Sequence, residues 1–242
     1  MAAPVTTPAY EGEGRNGWYR TPVNVTLTAE DEGAGVARTF FKLNDGAVAE
    51  GTSIRMPYEG ENSLRYWSKD KAGNVEEEKA ATVNIDLTAP TVSFTVQDGT
   101  VYGIDQNVVI GCSADDALSG VVSSDCDEIA AEAYELETGL HTFTATAEDA
   151  AGNIANQSIT ISVTVDFDSL SELVARFVNA DNGIRHALVK KLDQAKYSAS
   201  KGNLKAMHGQ LTAFIHQVNA QCGKALTEEQ AQVLNELANS LK

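Results

Sequence analysis

Residues 1–165 read as short runs in which apolar and polar side chains alternate, the two-residue period of half-buried strands. Val23, Val25, Leu27 and Ala29 form one run, and Phe143, Ala145 and Ala147 another. Between the runs stand EGAG, NDG, EGEN, KAGN, QDG, LSG, ETG and AAGN, which place Gly and Asn where a backbone turns tightly or takes positive φ. This spacing predicts antiparallel β-sandwiches, because a parallel sheet would call for helices between its strands. From Asp166 the period lengthens to that of a helix. Leu170, Leu173, Val174 and Phe177 form one stripe; Ile184, Leu188 and Leu192 a second; Leu204, Leu211, Phe214, Ile215 and Val218 a third; Leu234, Leu237 and Leu241 a fourth. Four amphipathic helices follow, with stripes that can bury one another in a bundle. Asp168 or Ser169 is expected to cap the first, Asn182-Gly183 to separate it from the second, Lys201-Gly202-Asn203 to end the second, and Thr227 with Gln230 to box the start of the last.

Sliding the β region against itself reveals a duplication. NVTLTAEDEGAGV (24–36) matches VVIGCSADDALSGV (108–121), pairing Asp31 with Asp116 and Gly35 with Gly120. Further along, SKDKAGNV (68–75) matches AEDAAGNI (147–154), pairing Asp70 with Asp149 and Asn74 with Asn153. Two matching blocks in the same order divide the chain into a first repeat at 1–88, a second at 89–165 and a helical domain at 166–242. The joint between the repeats is DLTAPT (86–91), short and stiffened by Pro90.

DLTAPT ahead of a strand, the D-x-x-(S/A)-G-V block and D-x-A-G-N before the last strand resemble the immunoglobulin-like repeats strung along bacterial surface proteins and secreted hydrolases. The first repeat, with GWYRTPVNVTLTAED (17–31) and LRYWSKDKAGN (64–74), looks like the repeat type named after a leptospiral outer-membrane protein. The second, with Cys112 and Cys126 bracketing ADDALSGV, is similar to hyalin-type repeats. LTAFIHQVNAQCGKALTEEQAQVLNELANSL (211–241) resembles the small helical domain called FIMAH, found at the C-terminal ends of bacterial secreted hydrolases. These resemblances imply two antiparallel immunoglobulin-like β-sandwiches followed by a four-helix bundle. They also imply an extracellular or cell-surface bacterial location, an export signal upstream of this segment, and upstream domains of the same polypeptide as partners.

Charge narrows the partners. The chain has a formal net charge of −16, and its 89–165 segment holds 12 acidic and no basic side chains. Such a segment repels phosphate backbones and anionic lipid and attracts divalent cations, so nucleic acid is not an expected partner. No apolar run is long enough to span a bilayer as a helix.

Cys112 and Cys126, 14 positions apart, suit a loop-closing disulfide in an oxidising compartment; two buried thiols are the other reading. Cys222 has no partner and reads as a core residue near a helix end. In a sandwich of this type the loops after the second and sixth strands emerge at one end. Glu30, Asp31 and Asp70 would meet there in the first repeat, and Asp115, Asp116 and Asp149 in the second. Either set could hold Ca²⁺, which takes six to eight oxygens in irregular geometry, or each aspartate could bond its own turn backbone. Trp18, Tyr19 and Trp67 could offer a face to a sugar ring, or fill a sandwich edge. The four histidines lack neighbours that would complete a metal set, and no motif of a hydrolase, metalloprotease or nucleotide-binding site occurs. The chain therefore reads as a non-catalytic spacer and interaction module of a larger protein. The alternative is a module that binds carbohydrate or host matrix protein directly.

Overall fold

The computed structural model describes residues 2–178 and 183–242; Asn182, half of the expected Asn182-Gly183 break, lies outside the described residues. The chain divides into two compact units. The first contains the chain through Ser93 with Cys112–Cys126 and Ala145–Gln157, and the second contains Phe94–Gly111, Asp127–Thr144 and Ser158–Lys242. The sequence boundaries at 88/89 and 165/166 do not coincide with these units.

In the first unit, strands β1 (Val5–Glu11), β4 (Val23–Glu30) and β7 (Ser53–Met56) make one sheet. A second sheet runs in the order β2 (Gly14–Arg15), β3 (Trp18–Tyr19), β9 (Lys79–Ile85), β8 (Gly60–Asp70), β5 (Val36–Leu43), β6 (Ala49–Glu50). The alternation along β4 and β8 sends Val23, Val25 and Leu27 of one sheet and Leu64 and Tyr66 of the other into a shared core with Met56, Val83 and Ile85. After the joint and β10 (Thr91–Phe94), this unit also holds β13 (Cys112–Asp115) and β14 (Val121–Ser124). β14 pairs with the end of β16 (Gly139–Asp149), Val121 opposite Asp149.

The second unit contains β11 (Val101–Gly103), β12 (Asn107–Ile110), β15 (Ile129–Glu132), most of β17 (Ile154–Thr164) and the helices. β12 and β15 pair antiparallel. The sandwiches are not wholly antiparallel, because β3 runs parallel to β9 and β11 parallel to β17. No helix is needed for these edge pairs: the strands that lie between their members in the chain already supply the long crossover a parallel pair requires.

The helices are α1 (Phe167–Phe177), α2 (Gly183–Ser200), α3 (Leu204–Gln221) and α4 (Glu228–Ser240). Thr227 and Gln230 form the expected capping box, and Asn203 caps α3 through the Ala206 amide. The first cap is Asp166, ahead of the expected Asp168 or Ser169. Its extended backbone continues the strand, its carboxylate accepts from the Ser169 amide at 2.7 Å, and its own amide donates to Ser169 Oγ at 2.9 Å. Leu204, expected in the third stripe, is 58% exposed, and Met207 is buried from the next turn instead. The stripes bury more than each other. Val108, Ile110, Ile159, Ile161 and Val163 of the strands and Ile104 of the turn after β11 join Leu170, Leu188, Leu211, Phe214 and Leu234 of all four helices in one cluster.

The acidic second repeat obtains its cations from its flanks. Arg15 of the first repeat pairs with Glu148. Arg176 of α1 reaches Glu132 at 2.6 Å and the Asp105 carbonyl at 2.6 Å.

Candidate functional site

The four aspartates matched by the duplication make the same local structure. Asp31 accepts from the Gly35 amide at 2.6 Å, and its counterpart Asp116 from the Gly120 amide at 2.7 Å. Asp70 accepts from the Asn74 amide at 2.7 Å, and Asp149 from the Asn153 amide at 2.8 Å. Gly35 and Gly120 have φ of +82° and +78°, Gly73 and Gly152 +96° and +98°. Those values are strained for residues with a Cβ, which is why glycine recurs there. The Asn74 side-chain amide, joined by backbone amides of the same turn, holds the Asp70 carboxyl below its ordinary range against its burial. Each aspartate is thus a turn acceptor first.

Among the described residues, only the second repeat's pair also converges with a third carboxylate. Asp116 and Asp149 meet Asp86, the first residue of the joint, so that one oxygen from each lies within 4.8 Å of the others. Asp86 and Asp149 are fully buried and Asp116 is half-buried. Asp86 accepts from the Thr88 amide at 3.1 Å and from the Ser119 amide at 3.1 Å. Two oxygens on one Ca²⁺ stand at most about 5 Å apart, since each lies 2.3–2.6 Å from the ion, so this spacing fits a single Ca²⁺. Asp115 stays outside the group, exposed at the end of β13, and among the described residues no third ligand joins Asp31 and Asp70. In the sequence Asp86 shows only as the first residue of the DLTAPT joint: its bond to Thr88 is local, but its meeting with Ser119, Asp116 and Asp149 is made by residues distant in the chain.

Around these carboxylates the two repeats are stitched together. The Asn153 side chain donates to the Asp86 carbonyl at 2.9 Å and to Asp149 at 2.8 Å. The Asn16 side chain donates to the Ala150 carbonyl at 3.1 Å, and Arg20 to the Gly152 carbonyl at 3.2 Å. A cleft of about 520 Å³ lies along this seam, lined by Glu13, Arg15, Arg20 and Glu148 among others. Its arginines are engaged, Arg15 by Glu148 and Arg20 by Glu13 at 3.0 Å.

The disulfide joins Cys112 to Cys126, with Cα atoms 5.2 Å apart. The two cysteines are not on hydrogen-bonded neighbours, as β13 pairs with β10 whereas Cys126 lies two residues beyond β14, a partner of β16. The bridge therefore closes the loop that carries Asp115 and Asp116. Trp18 and Tyr19 are half-buried in β3, and Tyr19 packs against the first core. Trp67 is half-buried on β8 and stacks on Phe40, ring centroids 5.8 Å apart, while the adjacent Tyr66 is buried. β9 separates β3 from β8, so the three aromatics do not share one platform.

Short strands in facing sheets, duplicated, and a C-terminal helical bundle define a modular β-repeat protein. Residues 167–242 match the FIMAH domain. The chain is similar to fibronectin(III)-like modules of Clostridium thermocellum CbhA, at 17% identity over 66% of this chain and 95% of that one, with a TM-score of 0.33. It is also similar to the D00-D0 domain of intimin, at 11% identity over 65% of this chain and 99% of that one, TM-score 0.34. A third similarity is to the sialic acid binding region of a Streptococcus sanguinis adhesin, at 9% identity over 67% of this chain and 78% of that one, TM-score 0.27. No curated protein matches the sequence.

Proposed function

We propose that this chain is a non-catalytic spacer and interaction module of an extracellular bacterial multidomain protein, holding an upstream catalytic or adhesive part at a set distance from its anchor. The observation that carries this reading is the seam, where Asp86 and the side chains of Asn16, Arg20 and Asn153 tie the second repeat to the first. A spacer transmits position only if its joints resist bending, and several hydrogen bonds from different segments oppose a hinge better than one. The FIMAH match accords with a place in a secreted protein. Ca²⁺ is the proposed occupant of the Asp86, Asp116 and Asp149 group, where its charge would offset two fully buried carboxylates. Direct adhesion through Trp18, Tyr19 and Trp67 is the lesser reading, since these side chains do not converge.

Hydrogen exchange on the full chain tests both parts. Amides of 84–92 and 147–154 should be protected in EDTA, further protected by millimolar Ca²⁺ and less so by Mg²⁺, and Asp86→Asn should abolish the Ca²⁺ increment. Exchange at linker rates in wild type would remove the fixed joint. An equal Ca²⁺ response in Asp86→Asn would remove the metal and leave the joint.

A further inference from the structure

Charge is segregated within the helical domain. Residues 183–226 hold seven Lys and Arg and a single acid, Asp193, in a chain whose net charge is −16. The remaining acids of the described helices lie in α1, as Asp168 and Glu172, and in α4, as Glu228, Glu229 and Glu236. α1 also makes ties to the β region, through Arg176 to Glu132 at the end of β15 and through Phe177 edge-on to Tyr134 in the turn after it. The α2–α3 hairpin is thus the basic side of the bundle. At physiological ionic strength charges beyond about 8 Å are screened, so a ligand there meets the local sign rather than the net charge.

Along α2 the exposed side chains His186, Lys190, Asp193 and Tyr197 recur at spacings of three and four, which puts them on one helix face, and Lys201 follows in the turn at the helix end. Tyr197 is 65% exposed, and Lys201 Nζ stands 5.5 Å from its ring centroid. The ring borders a groove of about 380 Å³ lined by Lys190, Asp193, Gln194, Tyr197, Ser198 and, from α3, Gln210. Lys196 is already paired with Asp168, whereas Lys190, Lys201 and Lys205 are exposed. An exposed aromatic face, two carboxamides and flanking ammonium groups match three features of one ligand class. The apolar face of a sugar ring packs on tyrosine, its hydroxyls bond to Gln194 and Gln210, and its carboxylate or sulfate meets the lysines.

We infer that the α2–α3 hairpin binds an anionic polysaccharide, a uronic-acid or sulfated glycan, in the groove beside Tyr197. This deepens the anchoring part of the proposed function and rests on that reading, while the residues involved are remote in sequence from the Asp86 group. Bare polyphosphate would satisfy the lysines but not the ring. An acidic surface of a second copy is the competing occupant.

Titration calorimetry of the full chain in low salt, with polygalacturonate, heparin, neutral dextran and polyphosphate, decides the matter. One or both acidic glycans should bind, dextran should not, and binding should weaken steeply as salt is raised. Lys190→Gln with Lys201→Gln, and separately Tyr197→Ala, should each weaken acidic-glycan binding about tenfold, and Asp193→Asn should tighten it. Unchanged melting temperatures would show that each variant is folded. No binding to either acidic glycan overturns the inference. So does tight binding of polyphosphate that Tyr197→Ala leaves unchanged, or salt-sensitive self-association in place of glycan binding. None of these outcomes touches the seam, which the exchange experiment reads separately.

Discussion

Glu76 is the carboxylate on which the two sheets of the first repeat meet. It accepts from the Thr6 amide of β1 at 2.8 Å, the Thr6 hydroxyl at 2.5 Å and the Ser68 amide of β8 at 3.1 Å, and pairs with Lys79 at 2.7 Å. Burial pushes its carboxyl up, but the bonds from Lys79 and Thr6 outweigh burial and hold it below the usual range. A carboxyl depressed in the folded state contributes stability that is present above its unfolded value, about 4.3 for Glu, and is lost as pH falls through the folded value. Glu76→Gln should therefore lower stability at pH 7 by about 2 kcal/mol, and the variant should lose less on acidification than wild type. Thermal melts between about pH 3 and pH 7 check both, and parallel pH profiles would contradict the assignment. Nothing in Glu76-Glu77-Glu78-Lys79 singles out the first glutamate. Its role depends on β1 passing over β8, a contact of high sequence separation, and Asp86 was hidden for the same reason. The turn aspartates were legible because their partners lie four residues on.

At the scale of elements, local chemistry was the better guide. The α4 capping box and the alternation of β4 were readable because the interacting residues are neighbours in the chain. The cap of α1 lies earlier than expected because Asp166, just past the end of β17, keeps an extended backbone and so looks like the tail of a strand while starting the helix. The disulfide was legible as a spacing, but not that it ties β13 to the segment after β14. Closing a loop of 14 positions stabilises by roughly 3 kcal/mol on the chain-entropy model. Reduction should therefore lower the melting temperature of the first unit. It should also blunt the proposed response to Ca²⁺, because Asp116 lies on the loop the bridge closes. An unchanged melt and an unchanged Ca²⁺ response after reduction, with thiols counted to show the bridge is open, would make the bridge dispensable.

For the whole molecule, the duplication and the change of period at Asp166 were plain in the sequence, whereas the extent of the second core was not. Four stripes look sufficient to bury one another, and only the structure shows that Ile110, Ile161 and Val163 belong with Phe214 and Leu211. A core continuous from strands to helices should lose stability as one body. Phe214→Ala, at a fully buried position, should cost about 3–5 kcal/mol and reduce hydrogen-exchange protection in β17 together with that in α3. Loss confined to the helices would show that the bundle melts on its own.

Asp86 and Asp166 occupy one address in two different settings. Each stands just past the last strand of its repeat, with carboxylate oxygens open to whatever amides come next. In one case they meet Thr88 of the joint and Ser119 of the following sandwich, in the other Ser169 of a helix's first turn. Both are amide donors left without a partner by the element they begin or bend, and neither demands a particular fold behind it. In both repeats, then, an aspartate just past the last strand accepts backbone amides of the segment that follows. A single chain can join sheet to sheet and sheet to helix without altering the module that precedes the junction.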